Sequence, residues 1–263
     1  MTLHLPNEVP KGALITDTHA HYDDKRYNED YDGLFSALAE KGVDRIINCG
    51  CDIKSSEKCL DLSDKYSLCY TAVGYHPCNL PKGDINLSKI EELAQHKKVV
   101  AIGEIGLDYY WHDDNKQAQK KAFREQLSLA GRLSLPVIIH DRDAHSDTLD
   151  ILKETKPVGV VHCFSGSKEM ALEAVKLGMY IGIGGVLTFK NARKLAEVAA
   201  TVPIERILLE TDAPYMAPEP YRGKTNNSAL ILFVAQKLAQ IKNLPCERVL
   251  EITHKNAEEL FKF

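Results

Sequence analysis

The chain has 263 residues, 44% of them hydrophobic, and 33 basic against 37 acidic side chains give a net charge of −4. That length accommodates one large domain or two ordinary ones. The mild acidity excludes a broad basic surface that coats nucleic acid through phosphates alone, so an anionic substrate has to be captured by a local site such as a metal centre. The seven cysteines have no ladder-like spacing: Cys49 and Cys51 lie two apart and the rest are scattered. Free thiols in a reducing cytoplasm fit that pattern better than a disulfide framework. The first twelve residues lack the basic start and apolar core of a signal peptide, and no apolar run approaches a membrane span. The expectation is a cytoplasmic protein with no membrane contact.

Short apolar runs alternate with longer amphipathic stretches from end to end. The run Ala13-Leu14-Ile15 opens the series, and strands are predicted over 14–17, 43–48, 68–73, 99–103, 137–139, 158–161, 180–184 and 207–209. Helical spacing recurs between them. Over 117–133 it is carried by Ala118, Ala122, Phe123, Ala130 and Leu133, and over 228–241 by Leu230, Val234, Leu238 and Ile241. Pro136 and Pro203 punctuate the turns before two strands. Eight strands, each followed by a helical segment, is the count of an α/β (β/α)₈ TIM barrel. A doubly wound open sheet is the rival, but it usually shows a glycine-rich phosphate loop after its first strand. Here histidines stand in that place. No linker or low-complexity tract divides the chain, so residues 1–263 read as a single domain.

In such a barrel, chemistry gathers at the carboxyl ends of the strands. The first strand runs into Ile15-Thr16-Asp17-Thr18-His19-Ala20-His21. Alternation along a strand points Asp17, His19 and His21 the same way, so two imidazoles can grip one ion. Asp17 beside them could hold their second nitrogens and fix the tautomer. Five of the ten histidines fall at strand ends: His19, His21, His76, His140 and His162. Glu104 ends the fourth strand and Asp212 the eighth, with Glu210 deeper on the same face as a supporting group. Each has a bland reading alone, Glu104 as a helix-start carboxylate and His140 as a satisfied barrel-end histidine. Their coincidence at one rim points instead to a site for two divalent ions with mixed nitrogen and oxygen ligands. Ligand softness favours zinc, manganese or iron over magnesium. Arg142, Ser165 with Gly166, and Arg222 with Gly223 and Lys224 accompany these ends and suit phosphate oxygens. The cluster Tyr109-Tyr110-Trp111 either stacks on a base or packs the barrel rim.

The same segments carry a resemblance. Asp17-Thr18-His19-Ala20-His21, Val73-Gly74-Tyr75-His76-Pro77, Gly103 to Tyr109, Pro136 to His140 with Arg142, His162 to Gly166 and Glu210 to Pro214 follow one another as in the TatD-type deoxyribonucleases. These are metal-dependent hydrolases with an amidohydrolase-like barrel, and the match runs on to Asn256-Ala257. The resemblance implies metal ligands at His19, His21, Glu104, His140, His162 and Asp212, with Glu104 bridging two ions. It implies substrate contacts at His76, Arg142, Ser165 and Arg222. The implied activity is hydrolysis of DNA phosphodiester bonds, 3′ to 5′ at single strands or ends. A hydroxide shared by two ions would attack, with Asp212 orienting it and accepting its proton. Magnesium or manganese would then support turnover, and zinc would also bind. One departure stands out: the family commonly carries a proline after the Asn that follows the Arg222-Gly223 segment, and this chain reads Asn226-Asn227-Ser228-Ala229. Two rivals remain: an amide, ester or phosphotriester hydrolase on the same barrel, and a non-catalytic interaction protein. The relatives of the first often bridge their ions with a carboxylated lysine, and Glu104 takes that place here.

Overall fold

The computed structural model describes residues 3–6, 9, 10, 12 and 14–263; Ala13, the first residue of the opening apolar run, lies outside them. Eight parallel strands pair in sequence order: β1 (Ile15–Ala20), β2 (Val43–Cys49), β3 (Cys69–Val73), β4 (Val99–Asp108), β5 (Val137–Arg142), β6 (Gly159–Val161), β7 (Tyr180–Ile183) and β8 (Ile207–Leu209). Helices α1 (Tyr31–Glu40), α2 (Ile53–Lys65), α3 (Leu87–Leu93), α4 (Lys116–Leu133), α5 (His145–Thr155), α6 (Lys168–Lys176) and α7 (Arg193–Thr201) fill the crossovers. After β8 come α8 (Ile231–Lys242) and α9 (Cys246–Phe261). The last strand meets the first through the Ala20–Ala213 bridge, His21 N–H to Ala213 O at 2.7 Å and Asp212 N–H to His19 O at 2.9 Å. The result is a nearly closed TIM barrel.

Apolar side chains on the outer strand faces pack under the helices, as in Ile46, Ile102, Ile139 and Ile181. A second cluster lies inside the barrel, where Ile47, Ala72, Ile138, Val160 and Leu208 meet Ala257, Leu260 and Phe261 of α9. Helix α9 is tied to the start of β8 by Asn256 Nδ2, which donates to Ile204 O and Ile207 O at 2.8 Å each. It therefore closes the amino-terminal end of the barrel. The cavity lined by the strand-end histidines opens at the other end.

Three strands run further toward that cavity than their apolar content predicts: β1 reaches Ala20, β4 reaches Asp108 and β5 reaches Arg142. In β4 the extension is mixed, with Ile105 and Leu107 packed in the apolar core while Glu104 and Asp108 line the cavity, and the ladder with β5 continues through Asp108. Residue 118 also departs from expectation. Ala118 is exposed, and the buried stripe of α4 instead includes Gln119 and Gln126. The stretch over 228–241 begins with a 3₁₀ turn, Ser228–Leu230, before α8 starts at Ile231.

Asp17 does not do what alternation along β1 implies. Pairing of β1 with β2 shifts register between Asp17 and Ala20, so Asp17 and the histidines do not share one simple face. Its carboxylate accepts from Thr211 N at 3.0 Å, Thr211 Oγ1 at 2.6 Å, Ser228 Oγ at 2.7 Å and His19 N at 3.3 Å, rather than from an imidazole. It locks the seam between β1 and the segment after β8. Ser228 occupies the position where the family commonly has proline, and it uses what proline lacks: its N–H donates to Tyr22 Oη at 2.8 Å. Tyr22 Oη then meets Ser228 Oγ at 2.8 Å, and that hydroxyl donates onward to Asp17.

Replacing Asp17 by Ala strands several buried donors, each costing about 1–3 kcal/mol. Asp17→Ala should lower unfolding stability by about 3 kcal/mol or more in urea titration, and Ser228→Ala by about 1 kcal/mol.

Candidate metal centre

The strand ends converge on Glu104, which is 3% exposed. The register of β4 against β5 shifts between Ile102 and Ile105, and both isoleucines pack outward, which turns Glu104 into the mouth. Its two oxygens face two different groups. Oε2 lies 3.5 Å from His19 Nε2 and 3.6 Å from His21 Nε2. Oε1 lies 2.7 Å from both His140 Nδ1 and His162 Nε2, and 3.4 Å from His76 Nε2. Asp212 completes the first group, with Oδ1 at 3.4 Å from His21 Nε2 and 3.6 Å from His19 Nε2. The six residues expected as ligands are thus brought together in one cluster.

Partners behind the ring fix which nitrogen points inward. His21 Nδ1 donates to Cys49 O at 2.9 Å, so in the neutral ring it is Nε2 that is left as acceptor, beside the Nε2 of His19 3.1 Å away. His140 Nε2 lies 3.1 Å from Asp108 Oδ2, so a neutral ring would aim the Nδ1 lone pair at a Glu104 oxygen 2.7 Å away. Two lone pairs cannot share that distance without a cation between them or a proton on the ring. The donor set therefore fits a divalent metal, and His19, His21, Glu104, His140, His162 and Asp212 are the residues that could hold it.

The titration behaviour follows from the same contacts. Burial alone would raise the Glu104 pKa, but His76, His162 and His19 with the His140 hydrogen bond hold it well below the usual carboxylate range. Burial pulls His140 down, yet its hydrogen bonds with Asp108 and Glu104 prevail and lift it to about 9. Burial, aided by the His162 ring stacked 3.8 Å away, pushes His19 down to about 4. Glu210 is driven up to about 8 by burial. One of its oxygens accepts from Cys163 N–H, and the same oxygen sits 3.8 Å from His162 Nδ1. The other has no hydrogen-bond partner among the described residues. Gly182 leaves room for that oxygen, since a Cβ there would come within 2.4 Å of it.

Asp108 was not singled out by sequence reasoning. Its Oδ1 also caps the next turn, accepting from Tyr110 N at 3.0 Å and Trp111 N at 2.9 Å. The backbone of Asp108 is in turn clasped by the Gln119 amide, which accepts from Asp108 N at 2.8 Å and donates to Asp108 O at 3.0 Å. Gln126 clasps Tyr75 the same way, at 2.7 and 3.2 Å, next to His76. Two glutamines seven apart on a helix face the same side. Polar residues interrupting the apolar stripe of α4 were the available signal.

The cavity above the cluster has a volume of about 1000 Å³ and is lined by His76, Arg142 and Ser165, three of the four expected substrate contacts. Arg222 is not among the lining residues; it is exposed and lays its guanidinium 4.3 Å over the Phe189 ring. Tyr109 leaves the aromatic trio, with its hydroxyl bonded to Asp147 at 2.6 Å.

The model of the TatD related DNase family matches residues 16–262. The chain belongs to the TatD family. It is 40% identical over 253 residues to the metal-dependent hydrolase YabD of Bacillus subtilis, spanning 95% of this chain and 99% of YabD. The crystal structure of the TatD homologue YjjV from Escherichia coli superposes with a TM-score of 0.90 at 34% identity, covering 95% of this chain and 98% of that one. A TatD family hydrolase from Entamoeba histolytica does so with a TM-score of 0.84 at 26% identity, over 95% and 98% of the two chains. TatD membership makes this protein a metal-dependent hydrolase.

Second-layer partners of imidazole ligands typically govern metal affinity by 10- to 100-fold. Asp108→Ala should weaken uptake of divalent ion by about that factor in calorimetry of the metal-stripped protein. Uptake must also displace the proton that His140 holds up to about pH 9, so affinity should rise with pH and level off above that value. Proton release measured in buffers of differing ionisation enthalpy checks the sign.

Proposed function

We propose that this protein is a metal-dependent deoxyribonuclease that hydrolyses phosphodiester bonds at single-stranded or frayed DNA ends, 3′ to 5′. The observation that carries the reading is the division of Glu104: one oxygen faces His19 and His21, the other His140 and His162. A carboxylate shared in that way would suit two divalent cations, with His19, His21 and Asp212 available to one and His140 and His162 to the other, and such pairs supply the chemistry used on phosphate esters. Magnesium or manganese would serve turnover, and the histidine-rich donor set also suits zinc. When bound, the cations supply Lewis acidity that acidifies a water and offsets charge on the phosphate oxygens.

The chain's own residues would do the rest. Asp212 lies beside both His19 and His21, and although burial opposes its charge, contact with His21 and the nearby His19 and His162 imidazoles keep its pKa low. It is therefore ionised, placed to orient the attacking water and to take its proton. Arg142 and Ser165 on the cavity wall are placed for non-bridging phosphate oxygens. His76 bonds Cys78 N–H through Nδ1 at 3.1 Å, which turns Nε2 toward Glu104 and the substrate side. Burial lowers the His76 pKa, so this ring orients rather than carries fixed charge.

The deciding experiment is hydrolysis of a short labelled single-stranded DNA by metal-stripped protein with Mg²⁺, Mn²⁺ or Zn²⁺ restored separately. The expected result is ion-dependent trimming that Glu104→Ala reduces by at least about 10³-fold, roughly 4 kcal/mol of barrel-mouth transition-state stabilisation. No cleavage with any ion, in protein shown to hold metal, would transfer the assignment to an amide, ester or phosphotriester hydrolase.

A further inference from the structure

The cavity mouth carries two exposed aromatic patches that the metal centre does not use. Tyr110 and Trp111, just past β4, are 55% and 64% exposed, and their rings meet edge to face at 4.8 Å. Arg142 at the end of β5 lays its guanidinium 4.4 Å over the Tyr110 ring and 6.0 Å from that of Trp111. Past β8, Tyr215 and Met216 are 46% and 39% exposed, and Arg26, between β1 and α1, lies 4.5 Å over Tyr215. Trp111, Arg142, Tyr215 and Met216 all line the cavity. Strand order runs β1 to β8 around the barrel, so the β4/β5 and β8/β1 positions face each other across its mouth. One arginine-backed aromatic unit therefore stands on each side of the histidine–carboxylate cluster.

Large apolar side chains left in solvent at one place mark a binding surface more often than a packing accident. Among the described residues six large hydrophobic side chains are exposed, and four of them are these. Nucleobases stack on aromatic faces whatever their sequence, and an arginine lying on a ring keeps its N–H edge for phosphate. The two arginines are not equivalent. Arg26 is engaged by Asp24 at 2.9 and 3.1 Å, whereas no carboxylate pairs with Arg142 among the described residues. With a net charge of −4, stacking rather than long-range attraction has to hold a strand here.

We propose that Trp111 with Tyr110 on one side, and Tyr215 on the other, are base-stacking subsites flanking the scissile phosphate, with Arg142 on the adjoining phosphate. The substrate is then a single strand with an unpaired base on each side of the bond to be cut, because a base held in a duplex cannot turn onto a ring. This rests on the nuclease reading above and adds to it the two positions that grip the strand.

Trp111 is the only tryptophan in the chain, so its fluorescence reports one subsite alone. The full-length protein with its metal is titrated with an oligothymidylate whose phosphorothioate linkages resist hydrolysis, and with an abasic strand of the same backbone. The base-bearing strand should quench Trp111 and the abasic one should not. Tyr215→Ala should weaken binding of the base-bearing strand about tenfold, the low end of one lost base stack, while Tyr215→Phe restores it. In hydrolysis of unmodified DNA, Trp111→Ala and Tyr215→Ala should each raise KM far more than they lower kcat. Equal quenching by both strands, or an unchanged KM in both variants, would overturn the subsites. The nuclease reading fails separately: base-dependent quenching with no cleavage leaves the subsites standing, and cleavage without such quenching removes them.

Discussion

A buried carboxylate surrounded by imidazoles is the constraint on which this molecule depends. Glu104 alone at that depth would take up a proton, since burial without partners penalises charge strongly. Five histidine nitrogens within 3.6 Å make the ionised form favourable instead. They also leave several lone pairs aimed at one small volume, which a bound cation or a proton on a ring has to relieve. A parallel barrel is suited to build this: all strands end on the same side, so residues distant in sequence arrive at a common rim.

The scaffold around the ring is as directed as the ring itself. Cys49 O, Asp108 and Glu210 stand behind His21, His140 and His162 respectively. Gln119 and Gln126 on α4 hold the backbone of Asp108 and Tyr75, so one helix sets the positions of two cavity loops. Asp17 performs the corresponding task at the β8–β1 seam through Thr211 and Ser228. These are buried polar networks in which every lost partner leaves another group unsatisfied. Fold stability and site geometry are therefore coupled through the same few hydrogen bonds.

Much of this was legible along the chain, for reasons that are local. The alternation of apolar runs and amphipathic stretches is a periodicity, and it carries strand count and barrel class without any knowledge of contacts. Histidines and acids placed just past apolar runs marked the rim, and the structure gathers all six proposed ligands there. What misled was also local. His19 and Glu104 read as strand ends, although β1 and β4 continue past them to Ala20 and Asp108. Simple alternation put Asp17 with the histidines, and the register shift before Ala20 separates them. Asp108 was not singled out, because its role exists only beside His140, 32 residues away.

By itself, then, the sequence determined the class of fold, the family and the pool of residues from which a metal centre could be drawn, since these depend on spacing and residue type. Only the tertiary structure decided which nitrogen of each imidazole points inward, how Glu104 divides its two oxygens, and that Arg222 lies against Phe189 away from the cavity. It also decided that the aromatic residues past β4 and past β8 face each other across one mouth. Those outcomes rest on strand register, bulges and hydrogen bonds between residues far apart in the chain, and these are settled when the barrel closes.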